Sequence, residues 1–577
     1  MDSWKEIAAY LNRDVTTVQR WEKREAMPVH RHLHDKVGSV YALGPELDAW
    51  LQNRRLRLED EKKEPKAETP VDAEVDRGAM WAPRARRWLV LGAVAVLAMI
   101  AVTYVTTRSR AGNATRPKIK SLAVLPLKNL SGDATQEYLA DGITEALIGR
   151  LCRIHDLRVI SRTSVMHFKD TQLSVPEIAR TLQVDAIVEG SVIREGSRIR
   201  VNAQLIRGAT DEHFWSEAYD RELRYVLALQ SEVAQSIAAK VEVTVTGKER
   251  ERLTAVRSVT PEVYESYLKG RFALDHKDSR RADIEESIGY FDGAIKRDPT
   301  FAPAYVGLAN AYDDVGSVLI GAPPEQARSK ATSAVRKALE LDPELAEAHV
   351  GLAALLRKQW QWAEAEAEYR LALELNPSDA VAHDGLAHWL LCKGRVDEAL
   401  AWAQRGRALD PLAISGDSIG WILFNARRYD EAIHEFRSML AVQPNDANAL
   451  WSLGFVLIAN HQPEEAIPVL ENAVSVSDRS PGVIGVLVIA YAQAGRRRDA
   501  LWLLAELKRR KQAGYVPAAA FVNAYLGLGE YDQAFAWLDG AYKEQSNILQ
   551  SLKVHPFFDP LRDDPRFKDL LRRVGLD

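Results

Sequence analysis

The sequence predicts a multidomain chain: a small helical head, one membrane-crossing helix, a compact α/β domain, and an all-α solenoid of helix pairs. Three observations carry that expectation. Trp88 to Val105 is a run of eighteen residues without a charge. As a helix it is about 27 Å long, close to the hydrocarbon thickness of a bilayer. Ala331, Ala365, Ala399, Ala432, Ala466, Ala500 and Ala534 recur at intervals of 34, 34, 33, 34, 34 and 34. Between these two features, short apolar runs alternate with helical patterns, as layered α/β domains require. At 577 residues the chain exceeds a single core. Its hydrophobic share of 47% and charged share of 27% exclude a multi-span carrier. A net charge of −4 gives no global pull towards nucleic acid, so any basic surface must be local. Cys152 and Cys392 are too few for a disulfide framework or a cysteine-rich zinc site.

The head is expected over 1–57. Ser3 and Glu6 have capping-box spacing, and Trp4, Ile7, Ala8 and Leu11 follow on one helix face. Asn12-Arg13-Asp14 breaks that helix, and Asp14 can cap a second from Val15 to about Glu25. Val18 and Trp21 then face inward. Thr16, Thr17, Gln19, Arg20, Lys23 and Arg24 are left outward, a set suited to phosphates and base edges. A hairpin from His32 to Ala42 and a third helix from Pro45 to Arg54 complete the unit. His30, His32 and His34 alternate, but no carboxylate or cysteine in the nearby sequence completes a ligand set, so no metal is expected.

Ile7-Ala-Ala-Tyr-Leu11, Val15-Thr-Thr-Val-Gln-Arg-Trp-Glu22 and Val40-Tyr-Ala42 resemble the winged helix-turn-helix of MerR-like and excisionase-type DNA-binding domains. The resemblance makes Val15 to Arg24 a recognition helix and places Arg31 and Lys36 on a wing against the DNA backbone. Residues 1–57 carry ten Lys/Arg against eight Asp/Glu. So small an excess implies weak binding by one copy, and a homodimer on paired half-sites of double-stranded DNA.

Residues 58–87 read as a flexible linker, 88–106 as the transmembrane helix and 107–119 as a second linker. Four arginines precede the span within 15 residues and five basic residues follow it, so flanking charge leaves the orientation open. A DNA reader must face the cytosol. That places the chain in a bacterial inner (cytoplasmic) membrane as a single-pass protein, amino terminus inside and remaining domains in the periplasm.

Within 120–245, Ser121–Leu127, Leu157–Ser161 and Ala186–Arg194 read as strands, and Arg198–Ile206 completes a hairpin. Tyr138–Ile154, Pro176–Leu182 and Tyr225–Val241 read as helices. Leu122-Ala-Val-Leu-Pro-Leu127, Tyr138-Leu-Ala-Asp-Gly-Ile-Thr-Glu-Ala-Leu147 and Ala186-Ile-Val-Glu-Gly-Ser191 resemble the amino-terminal domain of TolB and its flagellar-envelope (FlgO-like) relatives. The resemblance implies a non-catalytic periplasmic domain. Asp141, Glu145, Asp185 and Glu189 lie beside strands or caps with no nucleophile or histidine at a recognisable spacing, so no active site is assigned to them.

The 34-residue period over 262–546, about eight units, resembles tetratricopeptide repeats. Pro343, Pro377, Pro411 and Pro444 close second helices. Phe291, Tyr369 and Phe436 take the large position, and Ala294, Ala338, Ala372 and Ala473 the small one. Such arrays bind proteins or peptides on a concave surface made by the first helices, where the frame places Arg357, His383, Asn425 and Asn460. Residues 547–577 are expected to cap the last repeat. No phosphate loop, nucleophile elbow, metal box or glycine fingerprint is present, so neither enzyme nor cofactor is expected. The whole plan is similar to ToxR- and CadC-type regulators. The rival expectation is an envelope scaffold that assembles partner proteins through its repeats.

Overall fold

A computed structural model describes residues 118–577, apart from 255–256, 276–280, 316–323 and 413–417, together with parts of 4–50. The first linker, the uncharged run 88–105 and residues 107–117 of the second linker lie outside the described residues; Ile119, expected in that linker, is buried in the core of the α/β domain. Among the described residues no helix is long and apolar enough to cross a membrane. The chain divides into two compact units, Met1–Asn113 and Ala114–Asp577.

In the first unit, α1 (Trp4–Tyr10) buries Ile7 and Ala8 against Leu11, Val18, Trp21, Met27, Ala42 and Leu47. Trp21 and Trp50 meet at 5.6 Å between ring centroids. Strands β1 (His30–Arg31) and β2 (Val40–Tyr41) pair antiparallel, with His30 opposite Tyr41. Residues 17–18 and 21–22 are helical, as are 46–47 and 50, where the second and third helices are expected. Glu46, sixteen residues from His30 in sequence, brings a carboxylate oxygen to 2.7 Å from the histidine Nε2.

The second unit opens with a mixed sheet in the order β5-β3-β6-β7-β8. Here β3 is Ser121–Val124, β5 Arg158–Val159, β6 Ala186–Glu195, β7 Arg198–Arg207 and β8 Glu212–Glu222, and the short β4 (Lys128–Asn129) pairs with β6. The β3 pairings with β5 and β6 are parallel, whereas β6, β7 and β8 form an antiparallel meander. Helices α2 (Glu137–Leu151), α3 (Arg162–Met166), α4 (Val175–Leu182) and α5 (Val226–Lys240) accompany the sheet. The α4 start is fixed locally: the Glu177 carboxylate accepts from the Ser174 N–H at 2.8 Å, and Pro176 sits in the first turn. Helix α6 (Gly247–Thr254) leads out of the domain.

Eight helix pairs follow among the described residues: α7 (Pro261–Asp275) with α8 (Arg281–Arg297), α9 (Ala302–Val315) with α10 (Pro324–Leu341), α11 (Ala346–Lys358) with α12 (Trp362–Leu375), and α13 (Ala380–Cys392) with α14 (Val396–Leu409). Then come α15 (Ser418–Asn425) with α16 (Tyr429–Val442), α17 (Ala447–Ala459) with α18 (Pro463–Val476), α19 (Pro481–Gln493) with α20 (Arg497–Ala513), and α21 (Ala518–Leu528) with α22 (Tyr531–Lys543). First helices also pack on the first helices of neighbouring repeats, forming an inner layer. All seven periodic alanines are fully buried. Each lies in the early turns of a second helix, where a larger side chain would push the pair apart.

The prolines stand two residues beyond the last helical residue, immediately after the C-cap. Asn376, Asp410 and Gln443 precede Pro377, Pro411 and Pro444 and take φ of −140°, −133° and −126° with ψ between 68° and 89°. A proline clashes with a helical residue before it, so the helix must stop there. Ring-to-glycine contacts lock the helices, between neighbouring repeats at Tyr369 and Gly385 and within one repeat at Phe436 and Gly420. A Cβ on Gly385 would stand 2.2 Å from the Tyr369 ring, and one on Gly420 2.6 Å from Phe436. Gly385→Ala is therefore expected to destabilise the array by about 1–3 kcal/mol through overpacking. Chemical denaturation of the single mutant and of Gly385→Ala with Tyr369→Leu, which makes room, checks this.

Candidate protein-interaction face of the repeat array

The turns between first and second helices form a row along one edge of the array. Trp360, Gly394, Arg427, His461, Gly495 and Gly529 occupy the same place in successive repeats, all with φ between 59° and 80°. Glycine takes that left-handed conformation freely, whereas any other residue gives up about 1 kcal/mol. Two of the three exceptions make long-range contacts, one with the eighth repeat and one with the carboxy-terminal tail. Trp360 stacks on Tyr542 at 5.0 Å. Arg427 donates to the Val554 carbonyl at 2.7 Å and to both Asp559 carboxylate oxygens at 2.8 and 2.9 Å.

The tail does more than cover the last repeat. It comprises 3-10 turns at Asn547–Ser551 and Pro556–Leu561 and helix α23 (Pro565–Arg573), and it crosses repeats three to six. The Trp362 indole N–H donates to the Val574 carbonyl at 2.7 Å, and Lys393 donates to the Gly575 carbonyl at 3.1 Å. His555 sits among Trp421, Phe424, Phe455, Phe557 and Phe558, with centroids 5.1–6.3 Å away. Leu549, Leu552, Phe558, Leu561, Phe567, Leu570, Val574 and Leu576 are buried. At about 1.5–3 kcal/mol for each large apolar side chain, that burial exceeds 10 kcal/mol. The tail is packed as an integral part of the array in this structure.

The residues expected on an open groove are placed accordingly. Arg357 is enclosed and its guanidinium bonds to Gln550 of the tail. His383 is buried, with Nδ1 2.8 Å from the Asp379 carbonyl and its ring against Trp402. Asn425 is buried and donates to the Trp421 carbonyl at 2.7 Å. Asn460 is partly exposed, 3.2 Å from Gln462 Oε1. Three of the four thus face the interior rather than an open surface, because the frame locates inner helices without revealing what covers them. Of the head's expected DNA contacts, Thr17 is helical and half-buried, and Arg31 lies in β1. Thr16, Gln19, Arg20, Lys23, Arg24 and Lys36 fall outside the described residues.

The opposite edge, formed by the turns between repeats, carries the α/β domain. Ser161 N donates to the Leu409 carbonyl at 2.9 Å, Arg158 to the Ala408 carbonyl at 2.8 Å, and the Ser378 hydroxyl to the Leu157 carbonyl at 3.2 Å. Leu412 N donates to the Ser164 hydroxyl at 2.8 Å. The first repeat is fused into the same core, where Tyr264, Leu268 and Ala294 join Ile143, Leu147 and Leu229. A charge network seals the seam: Arg271 binds Glu145 and lies 3.5 Å from Glu347, while Arg162 bridges Glu145 at 3.6 Å and Asp275 at 3.0 Å. Burial raises the Glu145 carboxyl, and Arg271 and Arg162 pull it back. Two of the other carboxylates considered earlier, Asp141 and Asp185, are also held in structural contacts. Asp141 receives Lys169 at 2.8 Å, and Asp185 receives two backbone N–H groups and the Ser121 hydroxyl at 2.8–3.0 Å. Among the described residues no cluster could hold a metal ion.

Comparison with known proteins adds to this geometry. The family model described as HilA/YgeH-like transcriptional regulator, second domain, matches residues 118–236, and tetratricopeptide repeat models match 346–379 and 418–483. The second unit is thus a HilA/YgeH-like regulator domain followed by tetratricopeptide repeats. The chain is 35% identical over 254 residues to "Putative adenylate cyclase 3" of Rhizobium meliloti, covering 44% of this chain and 42% of that protein. It is 25% identical over 188 residues to "Superkiller protein 3" of Schizosaccharomyces pombe, covering 33% of this chain and 11% of that protein. The chain spans less than half the length of these relatives. Similar solved structures include Pseudomonas aeruginosa PilF, 20% identical with a TM-score of 0.30, covering 41% of this chain and 98% of that one. They also include the Cut9–Hcn1 assembly, 17% identical with a TM-score of 0.32, covering 46% of this chain and 53% of that one.

Two consequences can be measured. Arg427→Gly relieves the turn but removes four donated bonds, so amide exchange over 552–562 should rise severalfold while the array helices stay protected. The second is a pH effect. Burial, helped by the nearby Arg427 and Arg562 cations, lowers the His555 pKa to about 3. The unfolded chain therefore binds more protons than the folded one between about 3 and 6.5, and stability should fall with pH there by about 1.4 kcal/mol per unit. Burial raises Asp379 to about 6. Its effect has the opposite sign, since stability falls as pH rises from about 4 to 6. Denaturation against pH in an Asp379→Asn background should show a histidine slope to which His383 and His388, lowered chiefly by desolvation, also contribute, and His555→Gln should reduce it by about 1.4 kcal/mol per unit.

Proposed function

We propose that the chain is a membrane-anchored one-component transcription regulator: a winged helix-turn-helix head in the cytosol, a single span at 88–106, and external α/β and repeat domains that receive a protein or peptide signal. The observation that carries this reading is the HilA/YgeH-like regulator domain at 118–236 directly upstream of tetratricopeptide repeats. The buried Ile7, Val18, Trp21 and Leu47 core of the head supports it, as does the β1–β2 hairpin at the expected wing. The TolB-like segments quoted above agree with a non-catalytic sensing domain outside the membrane. A putative adenylate cyclase shares 254 residues with this chain while most of each protein lies outside the match. Such overlap fits a common module joined to different outputs. On this reading the present chain has no enzymatic output.

Binding of residues 1–60, as an artificial dimer, to selected and random duplexes tests the head. Arg20→Ala should cost about 1–3 kcal/mol on the selected site if it reads a base. Absence of binding to any duplex would leave the envelope scaffold as the better reading. Topology is tested separately by fusing alkaline phosphatase after Arg116 and after Asp577. Active phosphatase at both is expected; silence at both, with a bright cytosolic reporter, would place the repeats inside.

A further inference from the structure

The repeats provide an internal control for one another, and repeat seven departs from its sisters on the outer face of α20. Two residues before the periodic alanine, the other second helices carry Ser329, Ala363, Asp397, Asp430, Glu464 and Asp532; α20 carries Arg498. Two residues after it, they carry Ser333, Ala367, Ala401, His434, Pro468 and Ala536; α20 carries Trp502. The helix runs 17 residues against 13 or 14 in the repeats on either side.

Trp502 is 57% exposed and its neighbour Leu501 43% exposed. Arg498, Leu501, Trp502, Ala505 and Arg509 share one helix face, since they recur at three- and four-residue steps. Neither Arg498 nor Arg509 has a carboxylate partner among the described residues, unlike Arg496, which pairs with Asp499, and Arg510, which pairs with Glu506. Lys508 and Lys511 lie over the rings of Tyr525 and Tyr515 and keep the same end of the helix basic. An exposed indole and leucine thus lie between two unpaired guanidinium groups on one helix face, while the flanking second helices carry Glu464 and Asp532 at the place of Arg498.

We infer that this face of α20 docks on an anionic phospholipid surface, with Trp502 and Leu501 entering the headgroup boundary and Arg498 and Arg509 meeting lipid phosphates. The two unpaired arginines on this face complement such a surface, and tryptophan is the side chain best suited to the boundary between headgroup and hydrocarbon. An acidic protein would match the arginines but does not call for a protruding indole beside them. The face would hold the outer helices of the array against the bilayer, whether or not the run 88–105 spans it.

The test uses the full chain with Ala505→Cys carrying an environment-sensitive dye; the native Cys152 and Cys392 are buried and spared by the label. The protein is presented with nanodiscs of phosphatidylcholine alone or with added phosphatidylglycerol. The expected result is a blue shift in dye emission only with the anionic lipid, reversed by high salt. Arg498→Asp and Trp502→Ala, which install the residue types of sister repeats, should each reduce the shift at least severalfold without altering helical content. Equal emission in both lipids, or indifference to Arg498→Asp, would overturn the inference. So would a shift with polyglutamate but not with anionic lipid, which means an acidic protein partner, and so would a shift that follows protein density in neutral lipid, which means self-association. Co-purification with nanodiscs of either lipid reports the membrane span independently of the dye.

Discussion

The close approach of two helices at a buried alanine is the constraint on which the array depends. Ala331, Ala365, Ala399, Ala432, Ala466, Ala500 and Ala534 have no exposed surface, so the second helix of each repeat lies as near its partner as its backbone allows. Repetition of that one geometry sets a constant step between repeats, and a constant step curves the solenoid. Curvature brings distant repeats together. It lets Trp360 of the third repeat meet Tyr542 of the eighth, and the tail from Asn547 onward cross repeats three to six. Without the alanines, the contacts of the tail would have no register in which to form.

The two edges of the array are given to different tasks by the residues in their turns. Turns between repeats are closed by prolines and expose backbone carbonyls such as those of Ala408 and Leu409, which accept from the α/β domain. Turns within repeats need a left-handed residue. Where Trp360 and Arg427 replace glycine, a long side chain is launched from a fixed point, towards the eighth repeat in the first case and the tail in the second. The backbone strain is held in place by the contacts it permits, a stacked indole in one case and a two-oxygen carboxylate grip in the other. The α/β domain, the first repeat and the turns of repeats three to five therefore share one packed body with continuous cores.

Much of this was legible in the sequence because it rests on local periodicity. Apolar alternation in Arg198–Arg207 marks β7, and the continuous apolar runs at Leu122 and Ala186 mark buried parallel strands. Strand β8 leaves no such trace, because most of its side chains point to solvent at the sheet edge and Tyr219 is its one buried aromatic. The destination of the tail was illegible for a different reason. Its bonds join residues 193 and 212 positions apart, and no local pattern encodes which surface a short aromatic and proline segment will meet. The row of turn residues was readable in principle, since Trp360, Gly394, Arg427, His461, Gly495 and Gly529 keep the same period as the alanines. Reading the non-glycine members as anchors would have pointed to an internal occupant before any coordinates. Arg357, His383 and Asn425 were placed on the correct helices, but the frame is silent about the segment that covers them.

The fused construction constrains how a signal can travel on the proposed reading. A hinge between the α/β domain and the array would need few contacts and exposed, polar turns. The seam instead holds a multi-member charge network, backbone-directed bonds and a shared apolar core that includes Tyr264 and Leu268. Removing one member of such a network leaves a buried charge uncompensated, so its members are coupled and resist piecemeal opening. Ligand binding on the array would then move the unit as a whole, or bring two units together, rather than open one against another. Association is the simpler route. On the proposed reading the head, with its small charge excess, would need a second copy to hold DNA, so anything that raises the effective concentration of heads would raise occupancy of paired sites. A rigid receptor and a weak reader are complementary: the rigidity passes on a pairing geometry, and the weakness keeps a single head from acting without it.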